Sequence, residues 1–216
     1  MKESSKMYNV DYYEDGERTG KSCYENYRWL PDLTIPMVLS MINYLGIDPG
    51  QTLLDFGCAK GYLVKAFRET WIESYGVDVS SYAIENAPLD MKPYLRLISP
   101  GEKIPLLTKK EKYDWFIAKD VLEHVEEKDV HNQLLRLGNV CKRGFAVIPL
   151  GDGNSFVVPD YEKDITHSTR QPLAWWVAAF DMAGFKIERA CYEVTGIKEN
   201  WSKWKKGNGF IEVKVK

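Results

Sequence analysis

The order of patterns along the 216 residues predicts an α/β protein. The expected form is a Rossmann-like, doubly wound, mostly parallel seven-stranded sheet with helices on both faces and a C-terminal antiparallel hairpin. Three observations carry this expectation. Short apolar runs alternate with stretches of helical period from Pro31 onward. One run, Leu53-Leu54-Asp55-Phe56, carries an acid at its end and passes through small residues, Gly57-Cys58-Ala59-Lys60-Gly61, into a helix. The next run, Tyr75-Gly76-Val77-Asp78, again ends on an acid.

The elements follow in order. Residues 1–30 are aromatic and charged, broken at Gly16 and Gly20, and are expected to form a lid segment ahead of a single domain over 31–216. Leu33, Met37, Met41 and Leu45 at helical spacing predict a helix over 31–45, stopped by Gly46 before the Asp48-Pro49-Gly50 turn. Thr52–Phe56 is the first strand and Tyr62–Glu69 the helix after it. A second strand ends at Asp78, and Ser80 or Ser81 caps a helix that finishes near Pro88. Tyr94–Ile98 reads as the third strand, Tyr113–Ala118 as the fourth, Val121–Leu137 as helical, and Phe145–Ile148 as a fifth strand stopped by Pro149. Residues 150–170 form a polar loop, and one that long inside a domain usually has a function. An apolar helix, Leu173–Ala183, then leads to two last strands, Phe185–Val194 and Gly209–Val213, around an insert rich in Trp and Lys.

Composition narrows the class. The formal charge is −2 and Lys and Arg are dispersed, which argues against a broadly basic nucleic-acid surface. No apolar run is long enough to span a membrane, and the polar N-terminus lacks a signal-peptide core. Cys23, Cys58, Cys141 and Cys191 are widely spaced, so reduced thiols in a cytoplasmic protein are expected.

Strand, small-residue turn, helix and a distant acid are how an open sheet builds an adenosine pocket. Gly57 and Gly61 give backbone freedom and room, the following helix N-terminus favours an anion, and Asp78 can accept two ribose hydroxyls. A nicotinamide enzyme shares this logic, but its Gly-x-Gly-x-x-Gly spacing is replaced here by Gly-x-x-x-Gly.

These residues, with Asp120-Val121-Leu122-Glu123-His124-Val125 after the fourth strand, Asp164-Ile165-Thr166-His167 and Ala183-Gly184-Phe185, resemble class I S-adenosylmethionine-dependent methyltransferases that act on small molecules. The likeness covers roughly residues 50–190. It implies S-adenosylmethionine as cofactor, with Asp55, Gly57, Cys58, Ala59, Gly61, Asp78, Val79, Ser99 and Lys119 as its site. Two departures stand out: Ala59 replaces the middle glycine of the turn, and Ser99-Pro100-Gly101 stands where an acid often meets adenine. The N-terminal Asp11-Tyr12-Tyr13, Gly20-Lys21-Ser22 and Tyr27-Arg28-Trp29 are similar to enzymes of surface-sugar and polar-metabolite pathways.

Methyl transfer to oxygen needs alignment and removal of the acceptor proton, which directs attention to His and carboxylates near strand ends. His167 is the preferred base, with His124 an alternative and Asp120 positioned to orient substrate or to cap the next helix; His131, among polar residues, reads as solvated. No metal site is expected: Asp120, Asp152 and Asn154 offer hard oxygens, but Asp-Gly-Asn is ordinary turn chemistry. The expected reaction is transfer to a hydroxyl of a small polar acceptor, a sugar or sugar-linked metabolite. Alternatives are N- or C-methylation and a non-catalytic cofactor-binding subunit. The base-methylation motif Asn/Asp-Pro-Pro-Tyr/Phe is absent, so neither nucleic acid nor membrane is an expected partner. Trp201 and Trp204, if exposed on a hairpin tip, would form a contact surface or homodimer interface, and Lys203, Lys205 and Lys206 an anion site.

Overall fold

All five residues of β1 (Thr52–Phe56) are buried, as befits a strand covered on both faces. The computed structural model describes residues 4–216. On one side of β1 lie β2 (Glu73–Asp78) and β3 (Leu95–Leu97); on the other lie β4 (Tyr113–Lys119) and β5 (Cys141–Pro149), all parallel. The antiparallel pair β6 (Phe185–Cys191) and β7 (Asn208–Val215) completes a seven-stranded sheet of order β3-β2-β1-β4-β5-β7-β6. The chain reverses its winding between β1 and β4, and a ligand crevice opens at the carboxyl ends of strands at such a reversal.

Alternation along β4 divides the core. Trp115 and Ile117 pack with Val38, Met41 and Phe67 of α3 (Pro31–Leu45) and α4 (Tyr62–Glu69). Phe116 and Ala118 pack on the other face with Leu134, Leu137, Trp176 and Phe180 of α6 (Glu127–Val140) and α7 (Leu173–Met182). The predicted boundaries hold closely where they rest on local chemistry. Pro31 starts α3 and Gly46 at φ 64° ends it, while the Ser80 hydroxyl accepts the Ala83 N–H (3.0 Å) to cap α5 (Ser81–Glu85). Trp176 is fully buried and its neighbour Trp175 only partly, as adjacent helical positions require.

Three expectations are corrected. The helix predicted over 121–137 is interrupted: Leu122–His124 is one 3-10 turn, Val125 is extended, and α6 begins at Glu127. Strand β5 starts at Cys141, four residues early: the charged pair Lys142-Arg143 hid its first residues, but Arg143 lies over the Trp115 ring (4.6 Å) and pairs with Glu212. Trp201 and Trp204 are half-buried against Phe156, Val158 and Tyr161 rather than displayed on a tip. Lys203, Lys205 and Lys206 are exposed and lie outside the wall of the crevice.

The N-terminal segment contributes α1 (Val10–Tyr13) and α2 (Gly16–Thr19). Its tyrosines form a ladder, with Tyr12–Tyr13 at 5.1 Å, Tyr13–Tyr82 at 6.1 Å and Tyr27–Tyr62 at 5.3 Å between ring centroids. Buried Lys60 pins the segment, its Nζ donating to Glu14 Oε1 (2.5 Å) and to the Tyr27 carbonyl (2.8 Å). Among the described residues, no helix is long and apolar enough to cross a membrane. All four cysteines are free thiols.

Candidate active site

The turn after β1 is shaped by backbone geometry. Gly57, Ala59 and Gly61 all have positive φ (79°, 48° and 77°), Ala59 being one of the few non-glycine residues held there. The space that the glycines leave is filled by protein. A Cβ on Gly57 would lie 2.4 Å from Val121 Cγ2, and one on Gly61 would lie 2.6 Å from Leu95 Cδ1. Gly61 therefore serves packing and is not part of the cavity wall, which is met instead by Gly57, Cys58, Ala59 and Tyr62. Gly57→Ala is expected to cost about 2–4 kcal/mol, combining left-handed strain and overpacking. Urea unfolding measures it. Val121→Ala in the same chain should recover only the steric share, and a loss under about 0.5 kcal/mol would contradict the account.

Asp78 closes β2 with both oxygens engaged by backbone: Oδ2 accepts the Ala59 N–H and Oδ1 the Ser80 N–H, each at 2.7 Å. Each carboxylate oxygen has a second acceptor direction left for a ligand hydroxyl. Burial raises the Asp78 pKa, partly offset by those N–H groups. Asp55 is pushed up to about 8 by burial first and by Asp78 second, with Lys119 opposing. Ser99 is exposed, its N–H accepted by Glu102 Oε2 (2.7 Å), and the crevice wall there is Ile98. Ser99 is thus outside the site, and Ser99→Ala should leave cofactor affinity unchanged by calorimetry.

The end of β4 carries the other half. Asp120 sits at φ 54° and is clamped by Lys119 Nζ on Oδ2 and Lys198 Nζ on Oδ1, both at 2.5 Å. Burial alone would raise its pKa, but the two ammonium groups hold it well below the usual carboxylate range. It neither caps a helix nor offers a free base. The following 3-10 turn directs Glu123 and His124 toward the loop that carries His167. That loop is tied to the turn by Ser168 and Thr169 N–H, which both donate to the Glu123 carbonyl (2.9 Å).

The two imidazoles lie 4.6 Å apart, centroid to centroid. His167 Nδ1–H donates to the Tyr161 carbonyl (2.7 Å), which leaves its Nε2 with a lone pair. Thr166 Oγ1–H donates to Asp164 Oδ1 (2.6 Å), so the 2.8 Å contact to His124 is an Nδ1–H donated to Thr166, and His124 Nε2 is likewise unprotonated. Burial lowers both pKa values, that of His124 to about 4 with His167 adding to the effect, so both rings are neutral at neutral pH. Glu123 is fully buried and pushed up strongly, by burial and then by Asp120. Sequence reading passed over Glu123 and Lys198; an acid placed between Leu122 and His124 in an otherwise apolar run was the available signal. His131 is exposed, and Asp152 Oδ1 is spent on the Asn154 and Ser155 N–H groups (2.9 Å) as a turn.

A cavity of about 790 Å³ unites these groups. Its wall includes Asp55, Gly57, Cys58, Ala59, Asp78, Val79, Lys119 and Asp120 on the sheet side. His124, His167, Tyr161, Lys198 and Trp201 lie beyond them, and Tyr8, Tyr12, Tyr13, Tyr24 and Arg28 come from the N-terminal segment. Tyr12 O–H donates to Asp164 Oδ2 (2.6 Å) and Ser80 Oγ to the Tyr8 carbonyl (2.6 Å), so this segment is hydrogen-bonded to both halves.

A family model described as a methyltransferase domain matches residues 36–188, most of the chain. The chain belongs to this methyltransferase family. No curated protein matches the sequence. Solved structures are similar in fold. One is a complex between the Haloferax volcanii Trm112 methyltransferase activator and a methyltransferase (TM-score 0.64, 15% identity, 86% of this chain and 91% of that one). Another is the magnesium protoporphyrin IX methyltransferase of Synechocystis with S-adenosylhomocysteine bound (0.60, 18%, 85% and 82%). A third is the mitomycin 7-O-methyltransferase (0.60, 17%, 86% and 54%). The enzyme is an S-adenosylmethionine-dependent methyltransferase. Its residues fit that cofactor: Asp78 has acceptor capacity to spare on the cavity wall, and the volume lies within the ~300–1,000 Å³ of small-molecule sites.

Proposed function

We propose that this methyltransferase acts on a hydroxyl of a small polar acceptor, a sugar or a sugar-linked metabolite, and that His167 activates that hydroxyl. The carrying observation is the pair of neutral imidazoles whose Nδ1–H groups are committed and whose Nε2 lone pairs share a cavity with Asp78. When bound, the cofactor supplies a methyl on a sulfonium whose sulfur leaves neutral, so alignment carries much of the catalysis. Asp78 holds the ribose, with Asp55, Gly57, Cys58, Ala59, Val79 and Lys119 lining the rest of that half. His167 acts on the acceptor proton beside His124, and the Lys119–Asp120–Lys198 clamp fixes the floor between the halves. Tyr24, Tyr161 and Trp201 offer ring faces to the apolar side of a sugar, while Arg28, Lys198 and Glu199 offer polar edges. Residues 4–30 act as the lid that excludes water. Structures of similar fold include both an O- and an N-methyltransferase, so the choice of oxygen rests on the site's own chemistry.

Labelled methyl transfer to a panel of sugars, with matched amino analogues, tests the reading; label confined to amines overturns it. In the same preparation, S-adenosylhomocysteine at a hundred times its Kd should stabilise the protein by about 2.7 kcal/mol. NAD should give no shift. Asp78→Ala should abolish the stabilisation, and a retained shift would remove Asp78 from the site.

A further inference from the structure

Glu123 is buried completely, and neither carboxylate oxygen has a hydrogen-bond partner among the described residues. A buried polar group without a partner is costly, so its retention calls for something that engages it. His124 Nε2 stands 3.9 Å and His167 Nε2 3.8 Å from Glu123 Oε1, and one donor atom from each of the three residues lies within 4.8 Å of the others. Each Nε2 carries a lone pair, because each Nδ1–H is held by Thr166 or by the Tyr161 carbonyl. Two imidazole lone pairs and a carboxyl group thus converge on one small volume. Behind the rings stand the partners that metal-bound imidazoles use: a carbonyl for His167, and a hydroxyl backed by Asp164 for His124.

We propose that Glu123, His124 and His167 bind one divalent transition-metal ion whose open position faces the cavity. Two imidazoles and one carboxylate form the donor set of open, catalytic zinc sites and of sites for iron and its neighbours; magnesium prefers oxygen alone. Donors at about 2.0–2.1 Å from an ion in tetrahedral array stand roughly 3.4 Å apart, so the two Glu123 distances must close by about half an ångström and the distance between the imidazoles by at most about 1.4 Å. The proposal rests on the acceptor reading only for what fills the open position, an acceptor oxygen, and it changes the part of His167: with its Nε2 on the ion the ring holds the metal, and the ion rather than the imidazole activates the hydroxyl. Coordination lowers the pKa of a hydroxyl, so its O–H bond breaks with the proton passing to water while the oxygen stays on the ion.

The test uses the whole chain, stripped with a chelator and then titrated with Co²⁺ and Zn²⁺. Calorimetry should find one ion per chain, and Co²⁺ should develop visible absorption bands. Glu123→Gln, which keeps the side-chain shape, and His124→Ala should each weaken binding by about a hundredfold or more while S-adenosylhomocysteine still binds. Asp152→Asn should bind the ion as the parent does. Absence of saturable Co²⁺ binding below millimolar in protein that binds S-adenosylhomocysteine overturns the site, as does binding that Glu123→Gln and His124→Ala leave unchanged. Hydroxyl methylation at full rate by the stripped enzyme would overturn the metal and leave the acceptor reading standing. Ion binding lost in Glu123→Gln, with label going only to amines, would sustain the metal and overturn the acceptor reading.

Discussion

In His167→Ala, turnover is expected to fall by about 10²–10⁴-fold, the usual contribution of a group that handles the acceptor proton. S-adenosylhomocysteine binding should be spared. The separation follows from placement: in the proposed function the cofactor lies against the turn after β1 and Asp78, whereas His167 reaches the cavity from the loop after β5. The alanine also removes a buried ring that packs 5.0 Å from Phe156, so some stability is lost with the chemistry. His167→Asn separates the two effects. Its side-chain amide can still donate to the Tyr161 carbonyl, holding the loop, but offers nothing at the position of Nε2. Both variants should be slow, and the asparagine variant should melt closer to the parent. Labelled-methyl turnover alongside calorimetry with S-adenosylhomocysteine reads this out; parental turnover in both variants removes His167 from the reaction.

The same residues show where sequence reading succeeds. The run from β1 through α4 was legible because its determinants are local: apolar strand, positive-φ positions at Gly57 and Gly61, and helix propensity beyond. There the backbone freedom of the glycines was legible, but the neighbours that fill the room they leave, Val121 and Leu95, are distant in sequence and were not. The break after β4 was not legible. Residues 121–137 read as one helical stretch, but the backbone at Asp120 is left-handed and its carboxylate is fixed by Lys198, 78 residues further on. That distant clamp, together with the loop N–H groups on the Glu123 carbonyl, turns Glu123 inward against its ordinary preference for solvent. Trp201 and Trp204 were misplaced for the same reason: the surface that receives them, Phe156 to Tyr161, belongs to a loop without periodicity.

Asp55→Asn is expected to stabilise the ligand-free protein at pH 8 by a few kcal/mol and to change it little near pH 4. Asp55 is nearly inaccessible in β1, and burial, then Asp78, pushes its pKa from 3.8 up to about 8. Between those values the folded chain binds a proton that the unfolded chain has released, so stability falls as pH rises through this window, at most about 1.4 kcal/mol per unit. Below the unfolded value the acid is protonated in both states and the difference vanishes. An asparagine has the same shape and no proton to lose, and it also relieves Asp78, whose shift has the same sign. Urea unfolding of parent and variant at pH 4, 6 and 8 should give lines that diverge upward in pH; parallel lines would refute the account. In the proposed function Asp55 belongs to the wall that would receive the cofactor's sulfonium. A positive charge beside Asp55 favours its ionised form, so at pH 8 the variant should lose more affinity for S-adenosylmethionine than for S-adenosylhomocysteine, whose sulfur is neutral. Equal losses for the two ligands would place Asp55 among residues that shape the wall without sensing the sulfonium charge.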